Sequence, residues 1–237
     1  MPPHPTGPPF GIVRFMAKRA NTEATLKKRG PGRPAATEAD ARIEQILNAA
    51  ADLFLQEGFD RASVAAIAKL AGASKETLYS RFPTKKELFE AVISRKTEIL
   101  LQKFSRVLAA ENPVENTLER YGRDLLDFML LPETQRLNRT LIASAPQFPE
   151  LANHYWHACP GREKQQLAEY FHEQSQAGAL AVPNPAKAAE LFFSLCLGEF
   201  LSHAYLLVQE APTTSDKKLH IRAAVQVFLA AFGPSRR

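Results

Sequence analysis

Residues 63–88 read SVAAIAKLAGASKETLYSRFPTKKEL, and this stretch contains the start and stop signals of two short helices. Ser63 is a suitable N-cap for the first helix, and Gly72 ends it. Ser74 caps the second helix, which Pro83 prevents from continuing. Two short helices that meet at a glycine-containing turn are typical of the helix-turn-helix arrangement.

The second short helix has the composition expected of a recognition helix. Leu78 and Phe82 are its apolar anchors, whereas its other face carries side chains that donate hydrogen bonds to base edges and phosphates. These donors are Lys75, Thr77, Ser80 and Arg81. The composition favours DNA binding over the alternative, a helical turn that serves only for packing.

Helical periodicity continues on both sides of this stretch, and no segment shows the apolar–polar alternation that is typical of strands. We therefore predict an all-α fold of about nine helices, with an N-terminal three-helix helix-turn-helix domain and a larger C-terminal helical bundle. The predicted domains are a basic, proline-rich arm without regular secondary structure at 1–37, the helix-turn-helix domain at 38–84 and the bundle at 85–233.

Local signals also predict where the remaining helices begin and end. Thr84 and Glu87 form a capping box. Asn112 is the predicted cap of a helix that begins at Pro113. The other predicted helices are 39–57, ended by Gly58; 133–144; 150–177, with a break that Pro160 could cause; 185–210, capped by Asn184; and 216–232.

The net charge of +5 is concentrated in the arm. Residues 1–37 contain seven basic groups and one acidic group, whereas the rest of the chain carries a net charge of −1. A basic arm with few apolar anchors indicates a polyanionic partner, nucleic acid before a membrane. One alternative is that the arm is a solvated tail without a partner. Another is that the start codon is wrongly assigned, because Met16 could also be the first residue; the sequence leaves open whether residues 1–15 are translated.

Several classes of protein are excluded by what the sequence lacks. The apolar run Leu191 to Gly198, with Ser194 inside it, has eight residues, whereas a membrane-spanning helix needs roughly 20. We therefore expect no membrane partner, and the two cysteines suit a cytoplasmic protein. No nucleophile–base pair or phosphate-binding glycine loop is present, so we expect no enzyme and no cofactor. His154, His157 and Cys159 lack a fourth ligand, so we expect no metal site.

The same stretch resembles the DNA-binding region of TetR/AcrR-type transcriptional regulators. Its most specific part is Leu78-Tyr79, followed at fixed spacing by Phe82, Lys85 and Leu88, after the Ala-Gly turn. Together with the first predicted helix, which ends in Glu57-Gly58-Phe59, the resemblance covers about a fifth of the chain. Residues 139–151 also resemble the C-terminal domain of one subgroup of this family, the AefR-like regulators.

The resemblance implies roles for individual residues. Tyr79 and Lys85 occupy positions that contact phosphates, and Ser63 caps its helix near a phosphate. Arg81 is the best candidate for a bidentate contact with guanine. The other positions that can reach bases in the major groove are occupied by Lys75 and Thr77.

Two parts of the sequence extend or depart from the family pattern. Residues 27–34 are similar to the Gly-Arg-Pro core of minor-groove binding hooks, so Arg33 is predicted to insert into a narrow groove, with non-specific electrostatic binding as the alternative. Ala65 lies where some members place a base-contacting side chain. Glu76 adds an acid to the recognition helix, and its role stays open between a cytosine contact and plain surface charge.

The resemblance further implies that the C-terminal domain binds an effector and dimerises. Phe128 and Trp156 are candidates for lining an apolar cavity, although aromatic residues at helical spacing are more often core. The last two predicted helices are apolar on more than one side, so they could form a four-helix bundle with a second copy. Candidates for this interface are Leu191, Leu195 and Phe228, with burial inside the monomer as the alternative.

These features together predict a homodimeric regulator that binds a near-palindromic double-stranded DNA operator and is released by a small hydrophobic effector. The resemblance implies a repressor. An activator of the same architecture is the first alternative, and a helical ligand-binding or enzyme domain without DNA binding is the second. The sequence specifies neither the effector nor the operator and target genes.

Overall fold

The structure is a computed structural model that describes residues 35–207 and 212–234. These residues form ten α-helices, one π-helical segment and no strand. The predicted all-α fold is therefore confirmed. The chain divides into two units, residues 1–38 and 39–237, and the packing described below is that of the second unit. Within the described ranges, no helix is long and apolar enough to cross a bilayer.

The helices have the following bounds. The helix-turn-helix region contains α1 (Ala35–Arg61), α2 (Val64–Leu70) and α3 (Lys75–Arg81). The remainder contains α4 (Lys85–Leu108), α5 (Val114–Met129), α6 (Pro132–Ser144), α7 (Pro149–Trp156), the π-segment (His157–Gly161), α8 (Arg162–Gln176), α9 (Pro185–Leu206) and α10 (Thr214–Phe232).

The two short helices begin where the local signals predict. Ser63 Oγ accepts a hydrogen bond from the backbone N–H of Ala66 at 3.0 Å, and Ser74 Oγ accepts one from that of Thr77 at 3.0 Å. In the turn between these helices, Gly72 has a φ of +62°. This is the left-handed region, which glycine adopts without steric cost, so the tight turn depends on this glycine.

Helix α1 differs from its prediction at both ends. It begins at Ala35, so residues 35–37 of the predicted arm belong to the helix. Gly58 has a φ of +83° and interrupts the helical backbone where the predicted helix ends, but one further turn continues to Arg61. The interruption turns the chain toward α2.

The start of α5 is one residue later than predicted. Pro113 has an extended ψ of 141°, so it is the N-cap and cannot be the first helical residue. Asn112 is therefore not the cap, and no side chain within the described residues caps this helix. The capping box of α4 is half present, since Thr84 Oγ1 accepts a hydrogen bond from the N–H of Glu87 at 3.1 Å.

The single helix predicted at 150–177 is three elements, with the π-segment between α7 and α8. Pro160 lies inside the π-segment. Proline has no N–H, and its ring would collide with the carbonyl of Trp156, one α-helical turn earlier. Widening the turn to π spacing avoids this collision, so the chain bulges instead of breaking.

Two hydrophobic cores organise the second unit. The N-terminal core joins α1, α2, α3 and the first half of α4 to α6 and α7, through Leu141 and Leu151. The larger core lies among α4, α5, α8, α9 and α10. Tyr155 packs against both cores, and its hydroxyl donates a hydrogen bond to Asn138 Oδ1 at 2.6 Å. Helices α6 and α7 therefore connect the DNA-binding region to the rest of the bundle.

Helix α9 has a sharp kink at Gly198, where φ is +45° and ψ is −140°. The imidazole of His220 in α10 hydrogen-bonds the carbonyl of Cys196 with an Nε2–O distance of 3.0 Å. A Cβ at position 198 would lie only 2.9 Å from the His220 ring. Glycine at position 198 therefore adopts the required backbone conformation and also leaves room for the close approach of α10.

Candidate DNA-binding surface

Helix α3 buries its apolar side and exposes its polar side. Leu78 and Phe82 are buried in the N-terminal core, as the sequence predicts. The exposed side chains, which we call the recognition face, are Lys75, Glu76, Thr77, Tyr79, Ser80 and Arg81. All the candidate DNA contacts of this helix thus lie on its solvent side.

Hydrogen bonds at the start of α3 centre on Thr77. The hydroxyls of Ser74 and Thr77 lie 2.8 Å apart, and the hydroxyl of Ser80 donates to the carbonyl of Thr77 at 2.9 Å. Lys75 and Arg81 take part in no ion pair within the described ranges. Their charges are therefore available to base edges or phosphates.

Lys85 already has one protein partner. Its ammonium donates a hydrogen bond to the carbonyl of Asp60 at 2.8 Å and lies 4.8 Å from the centroid of the Phe59 ring. These contacts hold the start of α4 against the end of α1. A lysine ammonium has three donors, so two remain for a phosphate. Tyr79, six residues earlier on α3, is about half exposed.

Arg42 is a residue of this surface that sequence reasoning missed. Its guanidinium donates a hydrogen bond to the carbonyl of Gly72 and so ties α1 to the turn before α3. The two residues are 30 positions apart, and no local signal links them. The predicted minor-groove residue, Arg33, lies outside the described residues.

An aromatic cluster anchors the DNA-binding region on the rest of the bundle. The rings of Phe54 and Phe89 meet edge to face at 5.1 Å, and Phe59 meets Phe89 at 5.3 Å. Phe59 also meets Phe148, which precedes α7, at 5.2 Å. Movement of α6 and α7 would therefore act on the helix-turn-helix through direct contact.

The two candidates for lining an effector cavity lie in different environments. Phe128 is half-buried against the larger core. Trp156 is 54% exposed, and the ammonium of Lys164 lies 4.5 Å from its ring centroid. Trp156 thus covers the outer surface of the bundle at the start of the π-segment.

The three interface candidates also differ. Leu191 is exposed and Leu195 is half-buried on α9. Phe228 is 1% exposed and stacks on Phe171 with 4.8 Å between ring centroids. Phe228 therefore lies in the core of the single chain, which corrects its assignment to an exposed dimer surface. Helix α10 instead exposes Leu219 and Val227.

Comparison with known families gives two matches that together span most of the described chain. Residues 46–92 match the family described as bacterial regulatory proteins, tetR family. Residues 116–234 match the AefR-like transcriptional repressor C-terminal domain, which confirms the predicted subgroup. The second match alone covers half of the chain.

Individual relatives agree with these matches. The HTH-type transcriptional regulator YvkB of Bacillus subtilis is 25% identical over 184 residues, which cover 78% of this chain and 94% of that protein. A solved TetR-family transcriptional regulator from Mesorhizobium loti is 26% identical with a TM-score of 0.76, covering 82% of this chain and 98% of its own. The flavonoid-responsive regulator FrrA is 29% identical with a TM-score of 0.70, covering 83% of this chain and all of its own.

The family matches, the fold and the helix-turn-helix lead to one conclusion. Regulators of this family are not enzymes, as the sequence predicts. The chain belongs to the TetR family of transcriptional regulators, with a helix-turn-helix DNA-binding domain and an AefR-like C-terminal domain.

Proposed function

We propose that this regulator is a homodimeric repressor that leaves a near-palindromic operator when a small hydrophobic effector binds its C-terminal domain. The observation that carries this proposal is the core shared by the helix-turn-helix and by α6 and α7. A core packed in this way transmits a change in the bundle to the DNA-binding helices. The description of the matched C-terminal domain as that of a repressor supports the sign of regulation.

DNA contact in this proposal uses the recognition face. Lys75, Thr77 and Arg81 enter the major groove, and Arg81 pairs with guanine. Tyr79, Lys85 and Ser63 contact phosphates and set the register. Arg33 inserts into the adjacent minor groove.

Dimerisation uses apolar side chains that one protomer leaves in water. Leu191 on α9 and Leu219 and Val227 on α10 are exposed. Leu195, one helical turn after Leu191, is half-buried. Two copies of this helix pair would cover each other as a four-helix bundle. A twofold dimer would then place its two recognition helices about 34 Å apart, in successive major grooves.

The effector acts because it binds one of two states of the bundle more tightly than the other. In the state that it favours, the two helix-turn-helix regions no longer match the operator spacing. FrrA, a relative of similar fold, is a flavonoid-responsive regulator, which supports a small hydrophobic molecule as the ligand.

Transcription in vitro from the promoter upstream of this gene tests the proposal. We expect the purified protein to lower the transcript level, and a variant without the recognition contacts, Lys75→Ala combined with Arg81→Ala, to leave it unchanged. A transcript that rises with added wild-type protein would instead identify an activator. A transcript that responds equally to wild type and double variant would contradict DNA-based regulation.

A further inference from the structure

Glu76 is the acidic residue of the recognition face, and it lies at the centre of that face. Leu78, which is 0% exposed and anchors α3 in the N-terminal core, lies two residues after Glu76 and two residues before Ser80. An α-helix turns by about 100° per residue, so Glu76 and Ser80 are each directed about 160° away from Leu78. These two side chains therefore point most directly from the core into solvent.

The basic side chains of the recognition face lie nearer its edges. Lys75 and Arg81 are each three residues from Leu78 and are therefore directed only about 60° away from it. Their length lets them reach bases or phosphates from these positions. When this face enters a major groove, the side chain at its centre, Glu76, lies opposite the base edges.

Of the two central side chains, only Glu76 has no partner in the protein. The hydroxyl of Ser80 donates a hydrogen bond to the carbonyl of Thr77 at 2.9 Å. None of the ion pairs formed within residues 35–207 and 212–234 includes Glu76. No lysine or arginine lies three or four residues from it on the helix, the spacing that brings side chains together. Its carboxylate therefore meets the DNA without a compensating cation.

A carboxylate only accepts hydrogen bonds, and this property limits which base it can contact. In the major groove, guanine and thymine present acceptor oxygens, which repel a carboxylate. Adenine presents an amine donor, but its N7 acceptor lies beside that amine. Cytosine presents the N4 amine and no acceptor, so it is the base whose edge suits a carboxylate best.

From this arrangement we infer that Glu76 determines specificity by accepting a hydrogen bond from the N4 amine of one cytosine in each half-site of the operator. Its charge also disfavours the other three bases, because each of them places an acceptor in the major groove. This inference rests on the proposed function, in which α3 enters the major groove. It goes further because it assigns a base to the acid of the recognition face.

Operators selected from random-sequence DNA by the purified full-length protein provide the test. Fluorescence anisotropy measures the affinity for each of the four base pairs at every position of the selected half-site. We expect one position at which the wild type binds cytosine about tenfold more tightly than any other base, the typical effect of one mismatched base pair.

Two substitutions of Glu76 have different expected effects at this position. Glu76→Ala loses the preference for cytosine, because no acceptor remains. Glu76→Gln shifts the preference toward adenine, since an amide can pair with both the N6 amine and N7. Both variants should also bind random DNA more tightly than the wild type does, because the charge that phosphates repel is gone.

Glu87→Gln is the matched control. Glu87 is an exposed acid in the first turn of α4, as Glu76 is in the first turn of α3. Acids at these positions stabilise the start of a helix, so urea unfolding should show similar small losses of stability for both Gln variants. Only the Glu76 variants should change base preference. A cytosine preference that survives in Glu76→Ala, that Glu87→Gln removes equally, or that is replaced in the wild type by a Glu76-dependent preference for another base would overturn the inference.

The double variant Lys75→Ala with Arg81→Ala separates this inference from the proposed DNA contact. An operator preference that the double variant loses, with cytosine preference lost in Glu76→Ala, supports both. A preference that the double variant loses but that both Glu76 variants retain in full overturns only the role of Glu76. If the wild type selects no operator, or the double variant keeps every base preference, the proposed reading of DNA by α3 is wrong, and the inference fails with it.

Discussion

The guanidinium of Arg42 in α1 donates a hydrogen bond to the carbonyl of Gly72, the glycine of the turn before the recognition helix. The contact fixes α1 against this turn. The direction in which α3 projects therefore depends on a side chain outside the two helices that form the motif.

Arg42→Ala is expected to weaken operator binding about fivefold, because an exposed hydrogen bond contributes about 1 kcal/mol and its loss lets the turn move. Fluorescence anisotropy with a labelled operator at fixed salt measures the effect. Arg136→Ala removes the same charge from an exposed position on α6 and is the control. An equal loss of affinity in both variants would show that only net charge matters.

The role of the turn before α3 can be tested at Gly72, with Gly178, which follows α8, as the matched control. Both have positive φ, +62° and +75°, and a Cβ at either position would meet nothing within 4 Å. Alanine at each position is expected to lower the free energy of unfolding by about 1 kcal/mol, the cost of a left-handed backbone. Urea unfolding measures this cost. Only Gly72→Ala should also weaken operator binding, and equal operator affinity in the two variants would contradict the role of the turn.

Glu163 makes stability depend on pH. Burial raises the pKa of its carboxyl from 4.5 to about 7 in the folded chain. The folded chain therefore holds this proton more tightly than the unfolded chain does. The stabilisation from this group is complete below pH 4.5 and is lost as the pH rises to about 7.

Glu163→Gln removes this dependence, because the amide stays neutral. Relative to wild type, the variant should gain roughly 3 kcal/mol of unfolding free energy between low pH and about pH 8. Urea unfolding at a series of pH values measures the difference, with Glu173→Gln, which removes an exposed acid of α8, expected to follow the wild type. A difference between Glu163→Gln and wild type that is constant with pH would contradict the burial of a titrating carboxyl.

The proposed dimer depends on two exposed side chains of α10. Leu219 is 64% exposed and Val227 is 56% exposed in the single chain. Replacing both with Glu places four like charges in a twofold interface, which should dissociate the dimer and reduce operator binding. Sedimentation velocity measures the mass of the particle.

Ile142→Glu is the control for this experiment, since Ile142 is exposed to a similar degree on α6. We expect this variant to sediment as the wild type does. Dissociation by Ile142→Glu, or a double variant that still sediments as a dimer, would place the interface elsewhere.

The sequence predicts the helix-turn-helix well because its signals are local. Ser63, Ser74 and Asn184 each cap the helix that follows within three residues, so spacing alone reveals them. Pro160 likewise indicates an interruption. Whether the helix breaks or bulges at Pro160 depends on how the chain packs there, and the spacing of residues along the sequence gives no information on that packing.

Relationships between distant elements escape this kind of prediction. Arg42 looks like any exposed arginine until the turn 30 positions later lies beside it. Glu163 belongs to a strongly polar helix, and only the packing of α8 against its neighbours shows that this one acid is buried. Phe228 fits either a dimer surface or a core by its spacing, and the structure places it in the core.

The claim that the recognition face of α3 reads DNA is tested most directly on an operator selected by the purified protein from random-sequence DNA. Binding to this operator and to random DNA is measured at two salt concentrations for wild type, Arg81→Ala and Lys85→Ala. We predict that affinity falls steeply with salt, that Arg81→Ala reduces the preference for the operator, and that Lys85→Ala weakens both DNAs alike. Salt-insensitive binding, or an unchanged preference for the operator in Arg81→Ala, would contradict the claim.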